Sequence, residues 1–365
     1  MVQASWQVKA EKCRKILQNS LNPEWLLPVD ELPPPDQLDV HSFADTCKLL
    51  TPRELEITKT NATDLVAQMA AGTLTAVDTV TAFLKRAHLG HQLLNFATEF
   101  MVEQALTRAS ELDAHFASTK SLVGALHGVP ISVKEHVAIK GRLCHSCYIT
   151  WTDNVADEDA LMVKLLKDAG AVIHVRTNQP QTLMVRQTNF VRLLLLKECS
   201  LRSGNEMVLA SNHSITHADT LRQHIDCDNV IYGPTVNPYN RKLTSGGSSG
   251  GEGASLGFRC AAVGIGTDIG GSVRVPAAFC GAYGLRTTAL RNPYKGVLLA
   301  GDGQESIRCV ISPLANSLAD INLVQKAILD QEPWEEETSL VPLPWRSAPV
   351  VEPSQITVGV IWDDG

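Results

Sequence analysis

Apolar positions along this chain follow two periods, and the change from one to the other predicts its layout. From Asn61 to His115 they recur at helical spacing, as in Leu65 and Met69 and then Val77, Val80, Phe83, Leu84 and Ala87, with Gly72 and Gly90 as punctuation. Two or three amphipathic helices are expected there. Upstream, residues 5–60 begin on a polar-apolar helical pattern and cross Leu32-Pro-Pro-Pro-Asp36, where three prolines forbid a helix. Residues 1–60 therefore read as an N-terminal helical wrap. Downstream the periods alternate: Pro130–Lys134 predicts a short strand, Asp159–Ala169 a helix, Ala171–Val175 a strand, Glu252–Gly257 the opening of a helix and Ala261–Gly266 a strand. Such alternation implies the α/β class, a layered sheet with helices on its faces. Phe190 to Asp228 interrupts the order with a different composition and no clear period, and reads as an atypical insert over 190–228. Past the proline-rich Pro342-Leu-Pro-Trp-Arg346, the apolar run Ile356–Trp362 predicts a last strand.

The totals exclude several classes. At 365 residues and 44% hydrophobic content the chain can bury a sizeable core, and disorder is not the default. A formal net charge of -7 gives no basic field, so no nucleic-acid partner is expected. The N-terminus MVQASWQVKAEKCRKIL is charged through its first turns, and no segment reaches about 18 uninterrupted apolar residues. The expectation is a cytoplasmic protein without a membrane partner. Nine cysteines at irregular spacing fit reduced thiols, and the lone close pair Cys144-His-Ser-Cys147 has neither a second pair nor a redox context.

Chemistry concentrates in two glycine-rich stretches, Thr244-Ser-Gly-Gly-Ser-Ser-Gly-Gly-Glu252 and Gly266-Thr-Asp-Ile-Gly-Gly-Ser-Val-Arg274. Glycine admits backbone that a Cβ would forbid and lets amide groups approach a ligand, so each turn can expose a hydroxyl beside aligned N–H donors. Ser248 and Ser272 are the exposed-hydroxyl candidates. Lys134, after the apolar run Val129-Pro-Ile-Ser-Val133, is placed to be their base if burial disfavours its charge. The amides of Ile269, Gly270, Gly271 and Ser272 would then form an oxyanion hole. Each signal has a plainer reading: a solvated lysine, a linker or phosphate-cradling loop. The spacing fits neither a nucleotide-binding P-loop nor a Gly-x-Ser-x-Gly elbow.

Taken in order, these stretches resemble the amidase signature family. The resemblance is carried by Gly128-Val-Pro-Ile-Ser-Val-Lys134, Asp159 to Ala171, Arg176-Thr-Asn-Gln-Pro-Gln-Thr-Leu183, Tyr232-Gly-Pro-Thr-Val-Asn-Pro238 and the run from Gly246 to Leu285. Ser5-Trp6, Glu24-Trp25, Gln181-Thr-Leu-Met184 and Glu332-Pro-Trp334 look most like the fungal acetamidase or general amidase branch. The resemblance implies the amidase signature fold, a mixed central sheet covered by helices on both faces. It implies a Ser-Ser-Lys triad in which Ser272 is acylated, Ser248 relays its proton through an unusual cis peptide and Lys134 is the base. Ile269 to Ser272 would supply oxyanion donors, and Leu183 and Ser248 would line the substrate site. Ser249, Asp268 and Arg274 match supporting positions; an Asp268–Arg274 pair would either hold the loop or act directly. The histidines, His136 among them, match no catalytic position. The implied reaction is hydrolysis of a small amide such as acetamide to acid and ammonia, with no cofactor and no metal, in a protein whose relatives are commonly homodimers. The alternatives are a catalytically silent fragment and a glutaminase subunit of a transamidation complex.

Two departures bear on this. Relatives pass directly from an Asn near 189 to the Val-Ile-Tyr-Gly of 230–233, so 190–228 reads as retained untranslated sequence or, if translated, a long surface loop. Relatives also continue beyond Val358-Gly-Val-Ile361, so the signature domain over 61–365 reads as incomplete at its C-terminal end, with poor solubility expected of the isolated chain.

Overall fold

The computed structural model describes residues 5–183, 225–299, 303–346 and 352–360. The wrap begins with α1 (Trp6–Ser20), whose buried stripe is Ala10, Cys13 and Leu17. Its end is tied to the body by polar bonds that occupy backbone groups: Phe100 N–H donates to Ser20 Oγ (3.0 Å), Asn22 N–H to His88 Nε2 (3.0 Å), and Leu27 and Gln92 exchange a pair of bonds at 3.0 and 2.9 Å. After the prolines, Val40 N–H reaches Pro238 O at 2.9 Å. Leu17, Val40, Ala44, Leu50 and Ile57 join the same core as the sheet, so the wrap is part of one hydrophobic interior.

Thr51 and Glu54 form a reciprocal capping box that starts α2 (Pro52–Lys59). Helices α3 (Ala62–Ala70) and α4 (Ala76–Leu94) follow; Thr75 Oγ1 caps α4 and Asn95, at φ 52°, ends it. Gly90 does not punctuate this segment, as its sequence suggested, but lies inside α4. A Cβ there would stand 2.4 Å from Cys260 Sγ and 3.0 Å from Phe258 Cδ1, so glycine lets the helix press against a neighbour. That packing overrides the roughly 1 kcal/mol helical penalty of glycine. The helical region also holds an unanticipated strand, β1 (Ala97–Phe100), before α5 (Val102–Thr119).

The alternating elements come next: β2 (Pro130–Lys134), α6 (Leu161–Asp168), β3 (Val172–Thr177), the hairpin β4 (Val236–Asn237) and β5 (Asn240–Thr244), α7 (Gly250–Gly257), β6 (Val263–Asp268), α8 (Arg274–Phe279), β7 (Tyr283–Gly284), β8 (Val310–Ala315) and α9 (Leu318–Leu329). Six strands form one mixed sheet in the order β1-β3-β2-β6-β8-β7. The pairs β3/β2 and β2/β6 are parallel; β1/β3, β6/β8 and β7/β8 are antiparallel. Every residue of β2, β3, β6 and β8 is buried, as expected of central strands covered by helices. The register sets Ser132 beside Gly264 and Lys134 beside Thr177.

Two expectations change. Most of the 190–228 insert lies outside the described residues, but its last residues belong to the fold. Cys227 is buried, and Asp226 Oδ1 accepts from Thr244 Oγ1 at 2.7 Å. The strand expected over 356–362 is not formed across its described part. Ile356, Val358 and Val360 are 55%, 74% and 60% exposed, and among the described residues no strand stands beside them to complete a ladder. No helix among the described residues is long and apolar enough to cross a membrane.

Candidate active site

Strand β2 carries two polar side chains at period two, Ser132 and Lys134, so both leave the sheet on the same face. Above them sits the glycine-serine loop leading into α7. The loop can lie close because β6 offers glycines beneath it. A Cβ on Gly264 would stand 2.3 Å from Glu252 Oε2, and one on Gly266 2.7 Å from Ser249 Oγ. Gly251 has the same function toward β3: a Cβ would meet Asn178 N at 2.5 Å and Asn178 O at 2.6 Å. The peptide bond between Gly247 and Ser248 is cis.

Lys134 is fully buried, and three hydroxyls surround its Nζ: Ser248 Oγ at 2.7 Å, Ser249 Oγ at 3.0 Å and Thr267 Oγ1 at 3.1 Å. Among the described residues no carboxylate bonds to it. Burial is the largest influence on the ammonium and brings it down to about 8, against the smaller opposing pull of nearby thiols and carboxyls. The lysine can therefore be neutral near physiological pH. Ser249 is held at both ends, with Oγ 3.2 Å from Thr267 O and its own N–H donating to Ser272 O at 3.0 Å. That last bond ties the loop of Ser248 to the turn of Ser272, which is 7% exposed.

Asp268 organises the second turn. Its carboxylate accepts Gly271 N–H at 2.7 Å, Val273 N–H at 3.1 Å and both Nε and Nη2 of Arg274 at 3.0 Å, with Arg286 Nε 3.6 Å away. Burial is the largest single influence and pushes the carboxyl up, but the hydrogen bonds from Arg274 and the two amides together outweigh it and hold the carboxyl below its usual range. Gly271, at φ 125°, occupies backbone that a side chain rarely adopts. Its amide is engaged by Asp268, whereas Gly270 is exposed with open space beside it and Ile269 is half-buried. Leu183 ends the short turn after β3, buried, at φ 65°. The structure thus brings Lys134, Ser248 and Ser249 into direct contact and joins Ser272 to them through the backbone. Arg274 grips Asp268 and leaves half its side chain in water.

Sequence reasoning missed three neighbours. Glu252 is fully buried and accepts from Ser132 Oγ and, at 2.7 Å, from Thr177 Oγ1; burial pushes its carboxyl up to about 8. Thr267 and His136 complete the shell around Lys134, with His136 Nε2 2.9 Å from Thr267 Oγ1. A lone acid among glycines and the Ser-x-Lys alternation in an apolar strand were the available signals. Near Cys147, the buried trio Glu135, His145 and Cys147 gathers three possible metal-binding groups. Two of its side-chain atoms already have partners within the trio, while Glu135 Oε2 has no hydrogen-bond partner among the described residues. Cys147 N–H donates to His145 Nδ1, His145 N–H donates to Glu135 Oε1, and the guanidinium of Arg176 stands 3.7 Å from that oxygen.

The amidase family model matches residues 78–193 and 214–365, and the chain belongs to that family. It is 40% identical over 95% of its length to the acetamidase of Aspergillus oryzae and 39% identical over 94% to that of Emericella nidulans, covering 56% and 55% of those proteins. Among solved structures, a fatty acid amide hydrolase superposes on 99% of the chain with a TM-score of 0.84 and 36% identity, with 57% of that protein covered. The chain therefore spans a little over half the length of the relatives it matches.

Proposed function

We propose that this chain carries the acylating centre of a serine amidase acting on a small carboxylic amide such as acetamide. The observation that carries the reading is a fully buried lysine, lowered to about 8, with its Nζ 2.7 Å from the hydroxyl of Ser248. In the proposed reaction neutral Lys134 takes the Ser248 proton while Ser248 takes that of Ser272. Ser272 Oγ forms a bond to the amide carbon, and the carbonyl π pair moves onto oxygen. Amides of the 269–272 turn other than the one held by Asp268 meet the oxyanion. Collapse breaks the C–N bond, the proton returns through Ser248 to the leaving nitrogen, and ammonia departs. Water then repeats the sequence on the acyl ester to release the acid. The names of the fungal relatives support a small acyl group.

The test is fluorophosphonate labelling of the purified chain and of Ser272→Ala and Lys134→Ala, with mass mapping of the adduct, alongside ammonia release from acetamide and from glutamine. Labelling confined to Ser272 and lost in both variants supports the reading. A folded chain that takes no label would be a silent fragment, and release from glutamine alone would favour a glutaminase subunit.

A further inference from the structure

His136 is a wholly buried ring that the proposed reaction does not use, yet it touches the shell of its base. Its Nδ1 stands 2.9 Å from Leu298 O. A carbonyl only accepts, so Nδ1 carries the ring proton. Burial above all keeps the ring from taking a second proton, which leaves Nε2 bare as an acceptor. Thr267 Oγ1, 2.9 Å from Nε2, must then donate to it. Cys309 Sγ also approaches Thr267, but sulfur accepts weakly beside an imidazole nitrogen. Thr267 thus faces Lys134 with lone pairs only.

Ser249 faces the lysine in the same way. Its hydroxyl is 3.2 Å from Thr267 O, again a group that only accepts, so its proton is committed there. A neutral amine has two N–H bonds and one lone pair. Of the three oxygens around Nζ, those of Ser249 and Thr267 have no proton to offer and must receive the two N–H bonds. The lone pair is left facing Ser248.

We propose that His136 is a positioning residue which, by holding the proton of Thr267, aims the lone pair of Lys134 at Ser248; the inference rests on the serine-amidase reading above. The opposite tautomer would put N–H at Nε2, reverse Thr267, and turn its proton onto the lysine lone pair in competition with Ser248.

The experiment combines two readouts on the full chain. Imidazole 15N NMR, with the His136 signals assigned from a His136→Gln spectrum, reports the tautomer between about pH 6 and 9, the range in which an ordinary histidine finishes titrating. Rates of fluorophosphonate addition to Ser272 are compared among wild type, His136→Asn and His136→Gln. The asparagine amide replaces Nδ1 and keeps the Leu298 bond but cannot reach Thr267, whereas glutamine places an oxygen where Nε2 stood. The expected result is a ring held as Nδ1–H throughout and a His136→Asn rate about tenfold or more below wild type, a part of the 10²–10⁴-fold that a positioned base supplies. That deficit should persist at high pH, where the lysine is neutral in every variant, and glutamine should recover most of it. A ring protonated at Nε2, or a His136→Asn rate equal to wild type, overturns the inference. So does a deficit that vanishes at high pH, which would mean the ring sets the charge of Lys134 and not its aim, or one that glutamine fails to repair, which would make the ring mere packing. A wild-type chain that takes no label sinks the amidase reading itself, and the inference with it.

Discussion

Replacing Glu252 by glutamine removes an ionisation that the folded site suppresses. The carboxyl goes from 4.5 when unfolded to about 8 in its buried seat between Ser132 and Thr177. At pH 7 the unfolded side chain is ionised and folding must restore its proton. Over about 2.5 pH units at 1.36 kcal/mol each, that opposes folding by about 3 kcal/mol. The folded value lies above the unfolded one, so the penalty is absent below 4.5, grows as pH rises, and levels off above 8. Glutamine offers Thr177 the same oxygen and Ser132 an N–H, without the penalty. Urea unfolding at pH 5, 6, 7 and 8 should show Glu252→Gln gaining little at the acid end and about 3 kcal/mol at pH 7. A difference flat with pH, or a wild type more stable at pH 7, would refute the reasoning and mean that Glu252 is ionised against Lys134.

Acylation of Ser272 should rise with pH through about 8, because in the proposed reaction Lys134 acts when neutral; a stopped-flow labelling profile without that limb would remove the lysine as base. Gly251→Ala would drive a Cβ to 2.5 Å from Asn178 N and 2.7 Å from Phe96 O, backbone atoms that cannot swing away, and should lose about 3 kcal/mol or more in urea melts. Asp268→Ala strands two buried amides and removes the partner of Arg274, and should lose about 3 kcal/mol together with Ser272 labelling. Arg274→Ala, by contrast, removes a side chain 51% exposed to water and should lose about 1 kcal/mol or less in the same melts.

Much of the scaffold was legible in the sequence because its causes are local. Pro130–Lys134 is a strand with the expected bounds, and the helices around Leu65, Val80 and Leu165 follow their apolar spacing. The loop at Gly246–Gly251 and the turn at Gly271 declared themselves through glycines that the backbone needs. Strand β1 was not legible, since four residues carry too little pattern to separate them from the helices on either side. The run at Ile356–Val360 failed in the opposite sense: its pattern suits a strand, but a strand requires a neighbour.

What the sequence alone determined was a part of the set of elements and the presence of a lysine and serines in unusual company. Whether Lys134 was a solvated charge or a buried amine among hydroxyls depended on groups 114, 115 and 133 residues away in the chain. The tertiary structure decided that, by running β2 between β3 and β6 and seating α7 and its loop over the glycines of β6. Glu252, Thr267 and His136 entered the site only through that register, because their partners meet across the sheet and leave no periodic trace along the chain.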